Sequence, residues 1–137
     1  MVALKRNSRL SLALHTLSHM AGEPDRVRTS ADIAEHAGTN PVFVRRVLGR
    51  LRDAELLTSK KGHAGGWRLA RAPEKITLAD IYLVLGESLV ASADEADGPN
   101  CSVENALHRR VAEVLEDVEK SLIRRLRETT ILEVRGT

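Results

Sequence analysis

Large rings are nearly missing from this chain: its 137 residues include one Phe, one Trp and one Tyr. Its core must therefore be built from Leu, Val, Ile and Ala. Cysteine is as scarce, with Cys101 alone, which excludes an internal disulfide framework and fits a reducing cytosol. Long apolar runs are absent too. Lys5 and Arg6 precede a partly apolar segment from Leu10 to Met20, but Ser11, His15, Thr16, Ser18 and His19 break it, and its longest uninterrupted stretch is Leu12-Ala13-Leu14. A secretory core segment needs roughly 7–15 apolar residues, so no signal peptide, no membrane span and a cytoplasmic location are expected. Nor does the order of residues fix a nucleophile–base pair or a cleft of paired carboxylates. Glu113, Glu116, Asp117 and Glu119 read as the solvated face of a helix, and the sequence argues against an enzyme.

Charge is plentiful and unevenly placed. The chain carries a formal +2, yet residues 40–71 hold eight Lys/Arg against two Asp/Glu, while residues 72–137 hold eight against thirteen. A basic block beside an acidic one points to a polyanion met at a single surface, the plain alternative being a solvated charged face. The basic block lies in the stretch from Thr29 to Ala70. Ser30 is placed to cap a helix with Ile33, Ala34 and Ala37 on one face, ended by Gly38. Asn40 caps the next helix, with Pro41 at its first position, where a missing N–H costs nothing. In that helix, Val44, Val47, Leu48 and Leu51 recur at inward spacing, leaving Arg45, Arg46, Arg50 and Arg52 on the remaining faces. A short helix with a buried stripe and a basic exterior suits insertion into the major groove, and the whole reads as a winged helix-turn-helix.

The N-terminal turn of the second helix singles out Asn40, Val42, Arg45 and Arg46 for DNA. Arg can bond guanine O6 and N7, and Asn can pair with adenine. Arg45 and Arg46 point about 100° apart, so Arg45 is assigned to bases and Arg46 to phosphate. Arg50 and Arg52 fit phosphate contacts or salt bridges with Asp53 and Glu55. Residues 56–60 and 66–70 read as the strands of a hairpin around a glycine-rich tip. That tip lacks the GxxxxGK[ST] pattern of a nucleotide cradle. As a wing, it offers Lys60, Lys61, His63 and Arg68 to phosphates or the minor groove. Trp67 is read as packing between wing and helices.

Around this motif, Asn7 or Ser8 caps a first helix to about Ala21, with Leu10, Ala13, Leu14, Leu17 and Met20 buried, and Arg26-Val27-Arg28 is a candidate short strand. Lys5, Arg6 and Arg9 could touch phosphates. Thr77 and Asp80 form a capping box for a helix to about Leu85, stopped by Gly86. Residues 88–100 are acidic and turn-rich and are read as a linker. Beyond them a helix from about Val103 to Glu128 carries Leu107, Val111, Val114, Leu115, Val118, Leu122 and Leu126 as an apolar stripe. A partner helix of a second subunit is the economical cover for it, and folding back on its own chain is the alternative. Ile131 and Leu132 are expected to dock the tail. The expected organisation is a DNA-binding domain over 1–87, a linker over 88–100, and a dimerisation helix and tail over 101–137: mainly α, with one small β-hairpin.

Gly65, Gly66, Trp67 and Leu69, then Pro73, then Ile76, Thr77, Leu78, Asp80 and Ile81, stand in the pattern of a Gly-Gly-aromatic-x-Leu wing strand followed by Pro and Ile-Thr-Leu-x-Asp-Ile. In this the chain resembles the Rrf2 family of bacterial transcription regulators, from about the first helix to Glu87 and more loosely to Leu132. The resemblance implies a homodimeric repressor or activator on a palindrome-like operator. It also implies DNA contacts from Asn40, Val42, Phe43 and Arg45, and entry of Lys61 into the minor groove. One departure is Glu55, where such proteins commonly place Gly.

Many members of that family hold an iron–sulfur cluster through three cysteines between linker and long helix. Here Cys101 stands alone, and even a dimer supplies two thiolates, fewer than a conventional cluster uses, so no cofactor is expected. Cys101 just before a helix is a candidate thiol sensor, since a helix N-terminus favours thiolate, and a structural cysteine is the alternative. His108 follows Cys101 by seven residues without further ligands. His15, His19, His36 and His63 are scattered in the sequence and define no metal site. The function expected is sequence-specific regulation of transcription by a homodimer, as a repressor, with Cys101 as its candidate input. The alternatives are a winged-helix protein-interaction module, or a regulator set by a small ligand or protein partner.

Overall fold

A computed structural model describes residues 8–62, 65–86 and 102–135. Its first element, α1 (Arg9–Gly22), starts where Ser8 accepts a hydrogen bond from the Ser11 N–H at 3.0 Å. The helix buries Leu12, Ala13, Leu17, Met20 and Ala21, with Leu10 and Leu14 half-buried beside them. It forms the floor on which the helix-turn-helix sits. The second helix, α2 (Ser30–Ala37), is capped by Thr29, not by Ser30: Thr29 Oγ1 accepts from the Asp32 N–H at 3.1 Å. Ser30 is already helical, and its hydroxyl accepts from Trp67 Nε1 at 2.8 Å. Gly38, at φ 72°, closes α2 in the left-handed conformation that glycine adopts without strain.

The recognition helix α3 (Pro41–Asp53) follows after three residues. Asn40 caps it, Pro41 occupies its first turn, and Val44, Val47, Leu48 and Leu51 are wholly buried, as their spacing predicts. From α3 the chain turns into β1 (Leu57–Lys60) and back along β2 (Gly66–Leu69), antiparallel, with Leu57 opposite Leu69 and Lys60 opposite Gly66. The corner between α3 and β1 is made by Glu55 at φ 63°, the one non-glycine with positive φ among the described residues. The departure from glycine at this position is thus a side chain held where L-residues are strained. Of the expected strand at Arg26-Val27-Arg28, a bridge at Arg28 forms: Arg28 and Trp67 exchange backbone hydrogen bonds of 3.1 and 2.7 Å. Gly66 lies against this bridge, where a Cβ would fall 2.5 Å from the Arg28 carbonyl oxygen. The wing is therefore stitched to the segment that feeds α2.

The chain continues through a 3₁₀ turn, Pro73–Lys75, into α4 (Leu78–Leu85), whose capping box between Thr77 and Asp80 forms with bonds of 3.0 and 3.2 Å. The long helix α5 (Ser102–Arg127) has 26 residues, about 39 Å at 1.5 Å per residue. Its apolar stripe divides. Leu115, Leu122 and Leu126 are half-buried on the side that packs on α4, while Leu107, Val111, Val114 and Val118 are 50–64% exposed. The first group is thus partly covered by its own chain, and the second remains exposed. Tyr82 of α4 donates to Glu119 of α5 at 3.3 Å. Burial, followed by the charge and hydrogen bond of Glu119, raises its pKa above 10.0.

After α5 the chain returns to the head. Thr77 and Thr130 form a bridge, the Leu78 N–H donates to the Thr129 carbonyl at 2.9 Å, and the Ile131 N–H donates to that of Ile76 at 3.0 Å. A last short helix, α6 (Ile131–Arg135), packs on α1, with Ile131 fully buried in the common core and Leu132 39% exposed. The tail therefore packs against the head, through the contact expected of Ile131. The expected linker, residues 88–100, lies outside the described residues.

Replacing Glu55 by Gly relieves the left-handed strain at the cost of chain entropy, and should raise stability by up to about 1 kcal/mol. Gly66→Ala should lower it by roughly 1–3 kcal/mol, because the added methyl meets backbone and φ is 149°. Urea unfolding midpoints of the two variants against the parent chain check both signs.

Candidate nucleic-acid interface

The sequence assigns five residues at the start of α3 to DNA, and the structure sets them in different surroundings. Asn40 is exposed, but its Oδ1 accepts the Phe43 N–H at 2.9 Å. That oxygen is engaged in starting the helix, and the amide NH₂ is left open. Phe43 is half-buried and packs on the core. Val42 is 57% exposed, as an apolar contact to a thymine methyl requires. Arg45 and Arg46 are both exposed, and neither has a hydrogen bond or ion pair among the described residues. They are the free cations of the helix.

Farther along α3 the arginines are committed. Arg50 donates to the Val84 carbonyl at the end of α4 at 2.8 Å, a contact within the fold that the sequence does not foresee. Its charge lies against a helix C-terminus, where the backbone dipole favours a cation. Arg52 pairs with Asp53 at 3.5 Å, donates to Ser59 at 3.3 Å and lies 5.8 Å from the centre of the Trp67 ring. Its expected salt-bridge role stands, with Asp53 as partner.

In the wing, cross-strand register places Arg68 opposite Thr58, and Lys60 two residues on from Thr58 on the same sheet face. Both are exposed, as is Lys61 at the tip. The other face carries Leu57, Leu69 and Trp67, the last only 6% exposed. Trp67 is thus a packing residue, as expected. His63, also expected at the tip, lies outside the described residues, as do Lys5, Arg6 and Cys101. Arg9 is half-buried at the start of α1.

The sequence does not foresee one grouping. His15 and His19 on α1 and His36 on α2, read as scattered, converge at one place with ring centres 4.6–5.2 Å apart. The signal available in sequence was the i, i+4 spacing of His15 and His19, which puts both on one helix face. Nothing in the order of residues announces that His36 would join them.

A recognition helix bearing free arginines, a basic wing and a stitched helix-turn-helix define a winged-helix DNA-binding regulator of transcription. The chain belongs to the Rrf2 family, described as "Iron-dependent Transcriptional regulator", whose pattern matches residues 6–135. It is 32% identical over 129 residues to YwnA of Bacillus subtilis, named as an HTH-type transcriptional regulator, across 93% of this chain and 95% of that one. Among solved structures it resembles IscR of T. potens, at 27% identity and TM-score 0.63 over 98% of this chain and 85% of that one. CymR, the global cysteine regulator of B. subtilis, shares the fold at 21% identity and TM-score 0.65, over 99% and 98% of the two chains. These relatives are transcription regulators, not enzymes. Among the described residues no helix is long and apolar enough to cross a membrane.

Because Arg50 serves α4, Arg50→Ala should cost about 1 kcal/mol of stability while leaving the salt dependence of DNA binding as it is. Paired chemical unfolding and duplex titrations at several salt concentrations separate the two effects.

Proposed function

We propose that the protein is a cytoplasmic homodimer that binds a palindrome-like operator and represses transcription from it. The observation that carries this is the division among the basic residues of the motif: Arg45, Arg46, Lys60, Lys61 and Arg68 stand exposed on helix and wing, while Arg50 and Arg52 are engaged within the chain. Cations left free on both the groove-entering helix and the wing suit a duplex, whose phosphates and base edges are met by those two elements together. Arg45 would read a guanine edge, Val42 a thymine methyl, Arg46 phosphate, and Lys61 the minor groove.

The dimer reading is supported by Leu107, Val111, Val114 and Val118, four apolar side chains at spacings of four, three and four that remain exposed on α5. An apolar face of this length is expected to be covered by its equal in a second copy, and two-fold symmetry would then set two recognition helices about 34 Å apart. Cys101 is the single thiolate the chain can offer, so the donor set does not fit a conventional iron–sulfur cluster, and no such cluster is proposed. Cys101 remains the candidate redox input, with a small ligand or protein partner as the competing source of the signal.

Fluorescence anisotropy on a duplex from the gene's own upstream region, against a scrambled duplex, tests the reading. Specific binding is expected. Arg45→Ala should lose about 1–3 kcal/mol and relax preference at one base pair, whereas Lys61→Ala should weaken all duplexes alike and reduce the salt slope by about 1. Equal, weak binding to both duplexes would count against operator recognition. Repeating the titration with diamide, beside Cys101→Ser, assigns the input: release that the serine variant also shows moves it away from the thiol. Sedimentation equilibrium should find a dimer that Val114→Glu converts to monomer.

A further inference from the structure

We propose that His15, His19 and His36 form a binding site for one divalent first-row transition metal ion, tying the leading helix of the helix-turn-helix to the scaffold helix α1. Each imidazole offers one nitrogen, and the three lie within 4.8 Å of one another, with His19 Nε2 and His36 Nε2 at 3.1 Å. A tetrahedral ion with metal–nitrogen bonds of about 2.0–2.1 Å sets its ligand nitrogens about 3.3–3.4 Å apart. The His19–His36 pair, at 3.1 Å, lies within about 0.3 Å of that spacing. The widest needs a closing movement that exposed rings can make by rotating about their side-chain torsions. Three protein ligands and one open position is a set that Zn²⁺ commonly accepts, and imidazole suits zinc, copper, iron and nickel.

The charges around the cluster favour a cation. The cluster lines a cleft of about 510 Å³ that also presents Glu23, Asp32 and Glu35 against Arg26 and Arg28. Arg26 is neutralised by Glu23 at 3.1 Å, and the remaining charges sum to −1. The same cleft is lined by Thr16, 4% exposed, whose hydroxyl has no hydrogen-bond partner among the described residues. A water completing the ion's coordination would give that hydroxyl a partner.

The ion would act as a clamp. His36 lies in the last turn of α2, one residue pair before Gly38 and the turn into α3, so an ion shared with α1 fixes the helix that orients the recognition helix. The experiment is a Zn²⁺ titration of the tag-free, reduced full chain in competition with a chromophoric chelator, with Co²⁺ absorption as the report on geometry. One ion per chain with a tetrahedral cobalt spectrum is expected. His36→Gln should weaken affinity at least about 100-fold, since it removes a ligand where losing even a supporting contact costs 10–100-fold, and Cys101→Ser should leave affinity unchanged. At a hundredfold excess of Zn²⁺ over its dissociation constant, the melting temperature should rise by roughly 10 °C, a shift absent in His36→Gln. No stoichiometric uptake, uptake that His36→Gln leaves intact, or uptake that Cys101→Ser abolishes would each overturn the site. All three histidines are exposed, so their replacement leaves the core untouched.

Discussion

The buried indole of Trp67 is the contact on which the geometry of the DNA-binding head depends. In a chain with three aromatic side chains, one of them joins four parts of the fold. Its backbone pairs with Ser59 in the hairpin and exchanges two hydrogen bonds with Arg28 ahead of α2. Its ring is buried and its N–H reaches Ser30 in the first turn of α2. On its other side Arg52 of α3 lies over the ring. A two-stranded hairpin is marginal in water by itself. Here it is held at a set angle to the helix-turn-helix because a large amphipathic side chain has both its apolar body and its polar tip satisfied.

From that constraint follows a division of labour among residues of one type. The arginines of α3 recur along a single helix, yet only those of its first half are left for a partner. Those of the second half hold the helix against α4 and the wing. Desolvation explains the arrangement: a guanidinium that donates to a carbonyl at a helix end contributes to the fold, and its release to a phosphate would leave that carbonyl without its donor. Recognition and stability are thus separated along the axis of one helix by where it meets its neighbours.

Much of this was legible beforehand because it is local. The caps at Asn40 and Thr77, the four buried positions of α3, the hairpin and the bounds of α4 are set by residues within one or two turns of each other. What was not legible depends on distant partners. Ser30 resembles an N-cap until Trp67, 37 residues on, claims its hydroxyl. Arg50 resembles a phosphate contact until α4 brings the Val84 carbonyl to it. The stripe of α5 reads as one surface, but its members differ by which side of the helix meets α4. Three histidines stand on two helices, and only the packing of those helices puts them together. Glu55 is a middle case: its position invited glycine, and the observed φ of 63° shows why.

The return of the chain after α5 has a consequence for how the protein can be divided. Ile131 comes from the far end of the sequence, yet it is walled in with Leu12, Leu17 and Ile76, and the strand-like bridge at Thr130 holds it there. A fragment cut at the acidic stretch would lack one side of its own interior, so head and arm are not interchangeable parts. Helix α6 closes the head, much as a keystone set after the arch has been raised. Recombination, fusion or truncation that treats the N-terminal half as self-sufficient would yield a head with an open seam.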